Sequence, residues 1–78
     1  MDILTAIRNI FTERGIYIGE EIKEDTALQE LGVDSLQLVD ILISIEEEFG
    51  IELDETDLDP SNLNEIGDLV RVINSKIN

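Results

Sequence analysis

Ser35 is the residue of this sequence best suited to do chemistry. It lies in the segment Leu31-Gly32-Val33-Asp34-Ser35-Leu36, where a glycine-containing turn leads into an apolar run of helical length. A serine hydroxyl becomes a nucleophile when a neighbouring base takes its proton, and the sequence contains no histidine. A lysine base would have to be Lys23 or Lys76, which makes a hydrolase the weakest interpretation. We therefore expect Ser35 to be an attachment point, and we expect no catalytic residue.

Metal chemistry is equally poorly supported by the residue types. The sequence contains no cysteine, which excludes disulfides and thiolate metal sites. Asp54, Thr56 and Glu65 would occupy the first, third and twelfth positions of a calcium-binding loop. Leu58 then falls at the fifth position and Asp59 at the position that requires glycine. The loop fails as a calcium site, and we expect no metal ligands.

Asp34 and Gln37 are the residues that release Ser35 from a structural role. A serine at the start of a helix ordinarily caps it. Here Asp34 can take the capping position, and Gln37 stands three residues later, which completes a capping box. Ser35 then becomes the first helical residue, where a phosphate ester would lie near free backbone N–H groups and the positive end of the helix dipole. The segment is therefore suited to carry a phosphodiester.

The helix that begins after Asp34 is expected to end near Phe49 and Gly50, and it is apolar on two faces. At about 100° per residue, the residues of the core-facing stripe are Leu38, Ile41, Leu42, Ile45 and Phe49. The second stripe consists of Leu36, Val39 and Ile43. The acids that flank it are Asp40, Glu46 and Glu47. Either neighbouring segments cover the second stripe, or it is a partner-facing patch with a charged rim, as a transient interface needs.

Two further amphipathic helices are expected, one near each end of the sequence. The apolar residues of the first helix are Ile3, Leu4, Ile7, Ile10 and Phe11. The apolar residues of the last helix are Leu63, Ile66, Leu69, Val70, Ile73 and Ile77. Asp2 is expected to cap the first helix and Gly15 to end it, whereas Asn62 or Asn64 is expected to cap the last one.

Each connection between these helices is expected to contain a short helical turn. Residues 16–34 are a long connection whose regular apolar residues indicate that it packs across the bundle. Within it, Thr26 and Gln29 are expected to cap a turn that runs through Leu31. A second turn is expected over Asp54 to Asp59, ahead of the proline. The predicted fold is all-α, a small four-helix bundle of three main helices plus one short helix, with a long first connection.

The charge balance narrows the class of partners. The formal net charge is −14, so nucleic acids and anionic membrane surfaces would repel the protein. Proteins with basic patches are favoured because electrostatic attraction speeds their encounter. Charges interrupt every apolar stretch before a membrane span is reached, and the beginning of the chain lacks a signal-peptide pattern. We expect a single cytoplasmic domain over residues 1–78, monomeric and not inserted in a membrane.

The sequence resembles the acyl carrier protein family over its whole length. The matching segments are Leu31-Gly32-Val33-Asp34-Ser35-Leu36, Val39-Asp40, Glu46-Glu47-Glu48-Phe49-Gly50-Ile51, and Ile66-Gly67-Asp68-Leu69-Val70 with Ile73. The resemblance implies a 4′-phosphopantetheine arm, attached to Ser35 by a phosphopantetheinyl transferase that uses coenzyme A. The thiol of that arm would carry acyl groups as thioesters between enzymes of fatty acid, polyketide or related lipid biosynthesis.

The resemblance also implies roles for individual residues. Asp34 would help to position the modified serine, and the core around Ile41, Leu42, Ile45 and Phe49 could open to hold a short acyl chain. The residues that would contact acyl-transferring or synthase enzymes are Leu36, Val39, Asp40, Ile43, Glu46 and Glu47.

Three positions depart from the pattern of general fatty-acid carriers. Gln37 stands where many of them have an acid, Asp40 where they favour glutamate, and Ile43 where they often have methionine. A dedicated carrier for polyketide, specialised lipid or aminoacyl transfer is therefore an open alternative. A second alternative is an unmodified acidic adaptor that binds basic proteins and uses Ser35 only as a capping or solvent-facing residue.

Overall fold

Three α-helices account for most of the structure, a computed structural model that describes residues 2–19 and 22–77. They are α1, Ile3–Glu13; α2, Ser35–Phe49; and α3, Ile66–Ile77. Two short 3-10 helices, Leu28–Leu31 and Pro60–Asn62, lie in the connections, and the described residues contain no strand. Helix α1 contacts both α2 and α3, and α2 contacts α3. The predicted all-α bundle is confirmed.

The ends of α1 are formed as the sequence predicts. The Asp2 carboxylate accepts a hydrogen bond from the Leu4 N–H at 3.2 Å, which satisfies one free donor of the first turn. Gly15 follows the last turn with a φ of 75°, a conformation that other residues adopt at a cost. The Ile16 N–H then reaches back to the Phe11 carbonyl at 3.0 Å and closes the helix.

The core lies where the three helices meet. Its fully buried side chains are Phe11, Ile7, Ile41, Leu42, Ile45, Ile66, Leu69 and Ile73. Leu38 is also buried, and Phe49 is half-buried against the same cluster, so the predicted core stripe of α2 is confirmed. Each such side chain contributes about 1.5–3 kcal/mol on burial, which makes this cluster the main source of stability.

The long connection between α1 and α2 packs across the bundle, as expected. Glu20 and Glu21 within it lie outside the described residues. Past them, Ala27 and Glu65 form an isolated antiparallel bridge that ties this connection to the residue before α3. The Gly67 N–H donates to the Glu24 carbonyl at 2.7 Å. A Cβ at Gly67 would lie 3.1 Å from that oxygen, so the close approach favours glycine at this position.

The predicted short helices are corrected by the structure. The first one begins at Leu28, with Ala27 and not Thr26 as its N-cap, and it has no side-chain capping bond. Thr26 instead accepts a hydrogen bond from the Ile66 N–H at its backbone carbonyl, at 3.1 Å. The second one is Pro60–Asn62 and follows the predicted position, since proline is well suited to open a helix. The segment expected to be helical, Asp54 to Asp59, forms a hydrogen-bonded turn.

The predicted capping of α3 by Asn62 or Asn64 is wrong. The buried Asp68 carboxylate, inside the first turn, accepts from the N–H groups of Asn64 at 2.8 Å and Glu65 at 2.9 Å. Arg71, one turn further on, donates to the other oxygen of Asp68. An acid at this position also complements the positive end of the helix dipole. Asp68 therefore joins the preceding connection to α3.

Lys76 joins the C-terminal turn of α3 to the connection that follows α2. Its ammonium lies 3.0 Å from an Asp57 carboxylate oxygen and 3.3 Å from one of Asp54. These hydrogen bonds, to Asp57 first and then Asp54, raise the pKa of Lys76 above its ordinary 10.5. A hydrogen bond from the Asp57 N–H, together with the Lys76 charge, lowers the pKa of Asp54 below its ordinary 3.8.

We expect Lys76→Met to lower the melting temperature at pH 7 by more than Lys23→Met, which removes the same charge from a loop. A lowered carboxyl pKa stabilises the fold above the unfolded-state value and loses this effect as the pH falls through the folded-state value. The difference in melting temperature between the two variants should therefore become smaller in acid, below the ordinary Asp54 pKa of 3.8. It should shrink again in alkali, as the pH rises through the raised pKa of Lys76. Thermal melts across this range, followed by circular dichroism, measure it; identical melting temperatures for both variants at pH 7 contradict it.

Candidate functional site

Ser35 is the first residue of α2, and the predicted capping box is present beside it. The Gln37 N–H donates to the Asp34 carboxylate at 2.8 Å, and the Asp34 N–H donates to the Gln37 side-chain oxygen at 3.4 Å. Ser35 is exposed, and its hydroxyl makes no hydrogen bond with the described residues. The capping function therefore belongs to Asp34, and the serine hydroxyl is available for attachment.

The residues just before Ser35 explain why the chain turns into α2 at this point. Gly32 ends the first short helix with a φ of 79°, where an L side chain would be strained. The Val33 N–H then donates to the Leu28 carbonyl at 3.2 Å, which anchors the segment on a buried residue. Asp34 is extended, as an N-cap must be. The chain is thereby turned so that α2 starts with Ser35 at the surface.

A groove of about 600 Å³ opens directly beside Ser35. Leu28, Val33, Leu38 and Leu63 contribute apolar surface to it, and Asn64 contributes a polar wall. The backbone N–H groups at the start of α2 offer hydrogen bonds to a phosphate, as free helix N-termini do. An exposed hydroxyl, a phosphate-compatible helix start and a partly apolar groove fit a phosphopantetheine group on this serine.

The core that was expected to open for an acyl chain is closed in this structure, and its opening stays a prediction. Ile41, Leu42 and Ile45 are fully buried in one cluster, so holding an acyl chain among them would require their separation. The groove beside Ser35 is bounded by Leu38 and Leu63 at the edge of that cluster.

The second apolar stripe of α2 is not covered by the rest of the described chain. Leu36 is 83% exposed and Ile43 is 46% exposed, and Val39 between them is also exposed. Exposed apolar side chains of this size on one helix face favour a binding surface. Of the two interpretations left open by the sequence, a stripe buried under neighbouring segments is wrong.

The acidic residues around this stripe differ in their ion pairs and hydrogen bonds. Asp40 is exposed but forms an ion pair with Arg14 at 2.8 Å. Glu46 is half-buried and accepts a hydrogen bond from the Leu53 N–H at 2.9 Å, which holds the segment after α2. Glu47 is exposed and forms no ion pair with the described residues. Sequence reasoning missed Arg14, which lies 26 positions from Asp40 and shares no local pattern with it.

Comparisons with known proteins agree with this fold and identify the family. The model of the phosphopantetheine attachment site family matches residues 5–73. An acyl carrier protein of Thermotoga maritima is 32% identical over 77 residues, which cover 97% of this chain and 93% of that protein. Nodulation protein F of Rhizobium leguminosarum bv. viciae is 38% identical over 78 residues, which cover 94% of this chain and 85% of that protein.

A solved structure shows the same fold. The crystal structure of an acyl carrier protein from Thermotoga maritima superposes with a TM-score of 0.84 at 24% identity and covers 96% of this chain and 86% of that one. Together with the family match, this places the chain in a class of small helical carriers that bear a phosphopantetheine group.

The chain belongs to the acyl carrier protein family. It is a carrier and not an enzyme, its prosthetic group is phosphopantetheine, and it works with acyl-transferring or synthase enzymes. Among residues 2–19 and 22–77, none of the helices has the length and apolar character needed to cross a membrane.

Two substitutions of Asp34 distinguish the contribution of its capping hydrogen bond to stability from that of its charge. We expect Asp34→Ala to lower the free energy of unfolding by about 1 kcal/mol, and Asp34→Asn to lower it by a few tenths, because asparagine caps helices as well as aspartate does. Asp25→Ala removes the same charge from an exposed residue and is the control. Urea unfolding measures all three; equal stability of Asp34→Ala and Asp25→Ala would contradict the prediction.

Proposed function

We propose that Ser35 carries the 4′-phosphopantetheine group, and that the protein delivers acyl intermediates between enzymes of fatty acid, polyketide or related lipid biosynthesis. The observation that carries the proposal is the exposed Ser35 hydroxyl, freed by the Asp34–Gln37 capping box and placed beside a groove. When bound, the group supplies the thiol on which acyl groups are held as thioesters. The chain has no cysteine of its own to supply one.

The chain's own residues support this assignment in three ways. Asp34 and Gln37 hydrogen-bond the first turn, which holds the backbone of the attachment residue in helical geometry. The start of α2 favours a phosphate through its N–H groups and dipole. Leu28 and Leu63, on the walls of the groove, offer apolar contact next to the attachment point.

The exposed stripe Leu36, Val39 and Ile43, with the acids that flank it, is proposed as the docking face of α2. Its occupants are the transferase that modifies Ser35 and the acyl-handling enzymes, each presenting a basic patch. A net charge of −14 steers such partners and supports fast exchange between them. We propose further that residues 1–78 act as one monomeric carrier domain, since a carrier must offer the same face to several enzymes in turn.

Attachment is tested by incubating the chain with coenzyme A and a broad-specificity phosphopantetheinyl transferase, then weighing the intact protein and titrating thiols. We expect a mass gain of one phosphopantetheine and one new thiol. Ser35→Ala should show neither, while Ser61→Ala, which removes another exposed serine, should be modified like the wild type. Absence of modification with several transferases would leave the acidic adaptor as the better interpretation.

The docking face is tested with a pair of matched variants. Ile43 and Ile77 are 46% and 45% exposed, so replacing either by serine removes a similar exposed apolar surface. We expect Ile43→Ser to raise the transferase KM for the chain several-fold, on the order of 1 kcal/mol for one apolar contact. Ile77→Ser, at the end of α3, should leave KM unchanged. Equal KM values for both variants would remove Ile43 from the docking face.

A further inference from the structure

Arg14 lies between α1 and the exposed side of α2 and is held by three hydrogen bonds. Its Nε donates to Asp40 Oδ2 at 2.8 Å, one Nη to the Ile10 carbonyl at 3.1 Å, and the other Nη to the Ser44 hydroxyl. The planar guanidinium fork suits such multiple fixed bonds, which a lysine ammonium cannot reproduce. Arg14 is therefore a fixed cation beside the docking face.

This cation changes what Asp40 presents to a partner. The Asp40 side chain is 62% exposed and that of Arg14 only 22% exposed. The carboxylate thus stays at the surface, but its charge is balanced from behind by a group that a partner cannot easily displace. A lysine or arginine of a partner that approaches Asp40 meets a nearly neutral pair.

Among the three acids that flank the stripe, Glu47 is the one that is both exposed and without a cation partner in the described residues. Glu46 keeps its charge, but it is half-buried and its carboxylate accepts the Leu53 N–H. Glu47 is exposed and unpaired among the described residues, one turn beyond Ile43. At 1.5 Å per residue, Glu47 lies about 18 Å along the helix axis from Ser35.

We propose that Arg14 is a specificity-determining residue that masks Asp40, so that a basic partner enzyme is recognised by charge at Glu47 and by apolar contact nearer Ser35. The inference rests on the proposed docking face of α2. Masking of Asp40 favours partners whose cationic side chain lies far from the attachment serine. Partners that place a cation against the middle of α2 gain little from Asp40.

The test measures the KM of a broad-specificity phosphopantetheinyl transferase for the chain, with coenzyme A, at low salt. Arg14→Gln should expose the Asp40 charge and lower KM roughly two- to fivefold, the range of an exposed ion pair. Lys23→Gln changes the net charge equally and should leave KM near the wild-type value. Glu47→Gln should raise KM, and this rise should diminish as salt is added.

A double-mutant cycle separates unmasking from any change in stability. Asp40→Asn should raise KM more in the Arg14→Gln background than in the wild-type background, and should cancel the gain. Arg14→Lys keeps the charge but loses the fork, so its KM should fall between those of the wild type and Arg14→Gln. It replaces Arg14→Gln in the cycle if that variant folds poorly. Circular dichroism of each variant checks the fold.

Two results would overturn the inference. One is an equal KM for Arg14→Gln and Lys23→Gln, and the other is an equal effect of Asp40→Asn in both backgrounds. Either would show that Arg14 does not control the charge of the docking face. A wild-type chain that gains no mass would instead count against attachment at Ser35, so the two failures are distinguishable.

Discussion

The reciprocal pair of hydrogen bonds between Asp34 and Gln37 is the interaction on which the functional surface depends. A helix start leaves backbone donors without partners, and a side chain must satisfy some of them. Because Asp34 does so from the position before the helix, Ser35 enters α2 with its hydroxyl free. The left-handed Gly32 and the anchored Val33 set the direction of approach. One local arrangement therefore forms both the proposed attachment point and the first turn of the proposed docking face.

Three of the cations of this acidic chain form ion pairs that support the helix packing. Arg14 connects α1 to α2, Arg71 supports the carboxylate that holds the start of α3, and Lys76 ties the end of α3 to the connection after α2. The formal net charge of −14 already counts these cations, so the remaining excess of acids still repels within the fold. The remaining acids are left at the surface, where a basic partner can meet them.

In the proposed docking face, the apolar contacts and the charged contact of α2 lie at different positions along the helix. Leu36 and Val39 lie within about a turn of Ser35, so a partner that contacts them is also close to the proposed attachment residue. Glu47 lies at the far end of the same face. A modest apolar contact combined with a distant charge suits enzymes that must bind quickly and release quickly.

The sequence by itself determined the helices, the capping box at Asp34 and the core stripe of α2, because each depends on residues within one or two turns of each other. It did not determine that the stripe of Leu36 stays exposed, since that depends on which segments pack nearby. The start of α3 was misassigned because the N–H groups of its first residues, Ile66 and Gly67, donate to backbone carbonyls of the distant first connection and not to an asparagine side chain. The pairing of Arg14 with Asp40 also needed the tertiary structure, because only the packing of α1 on α2 brings residues 26 positions apart into contact.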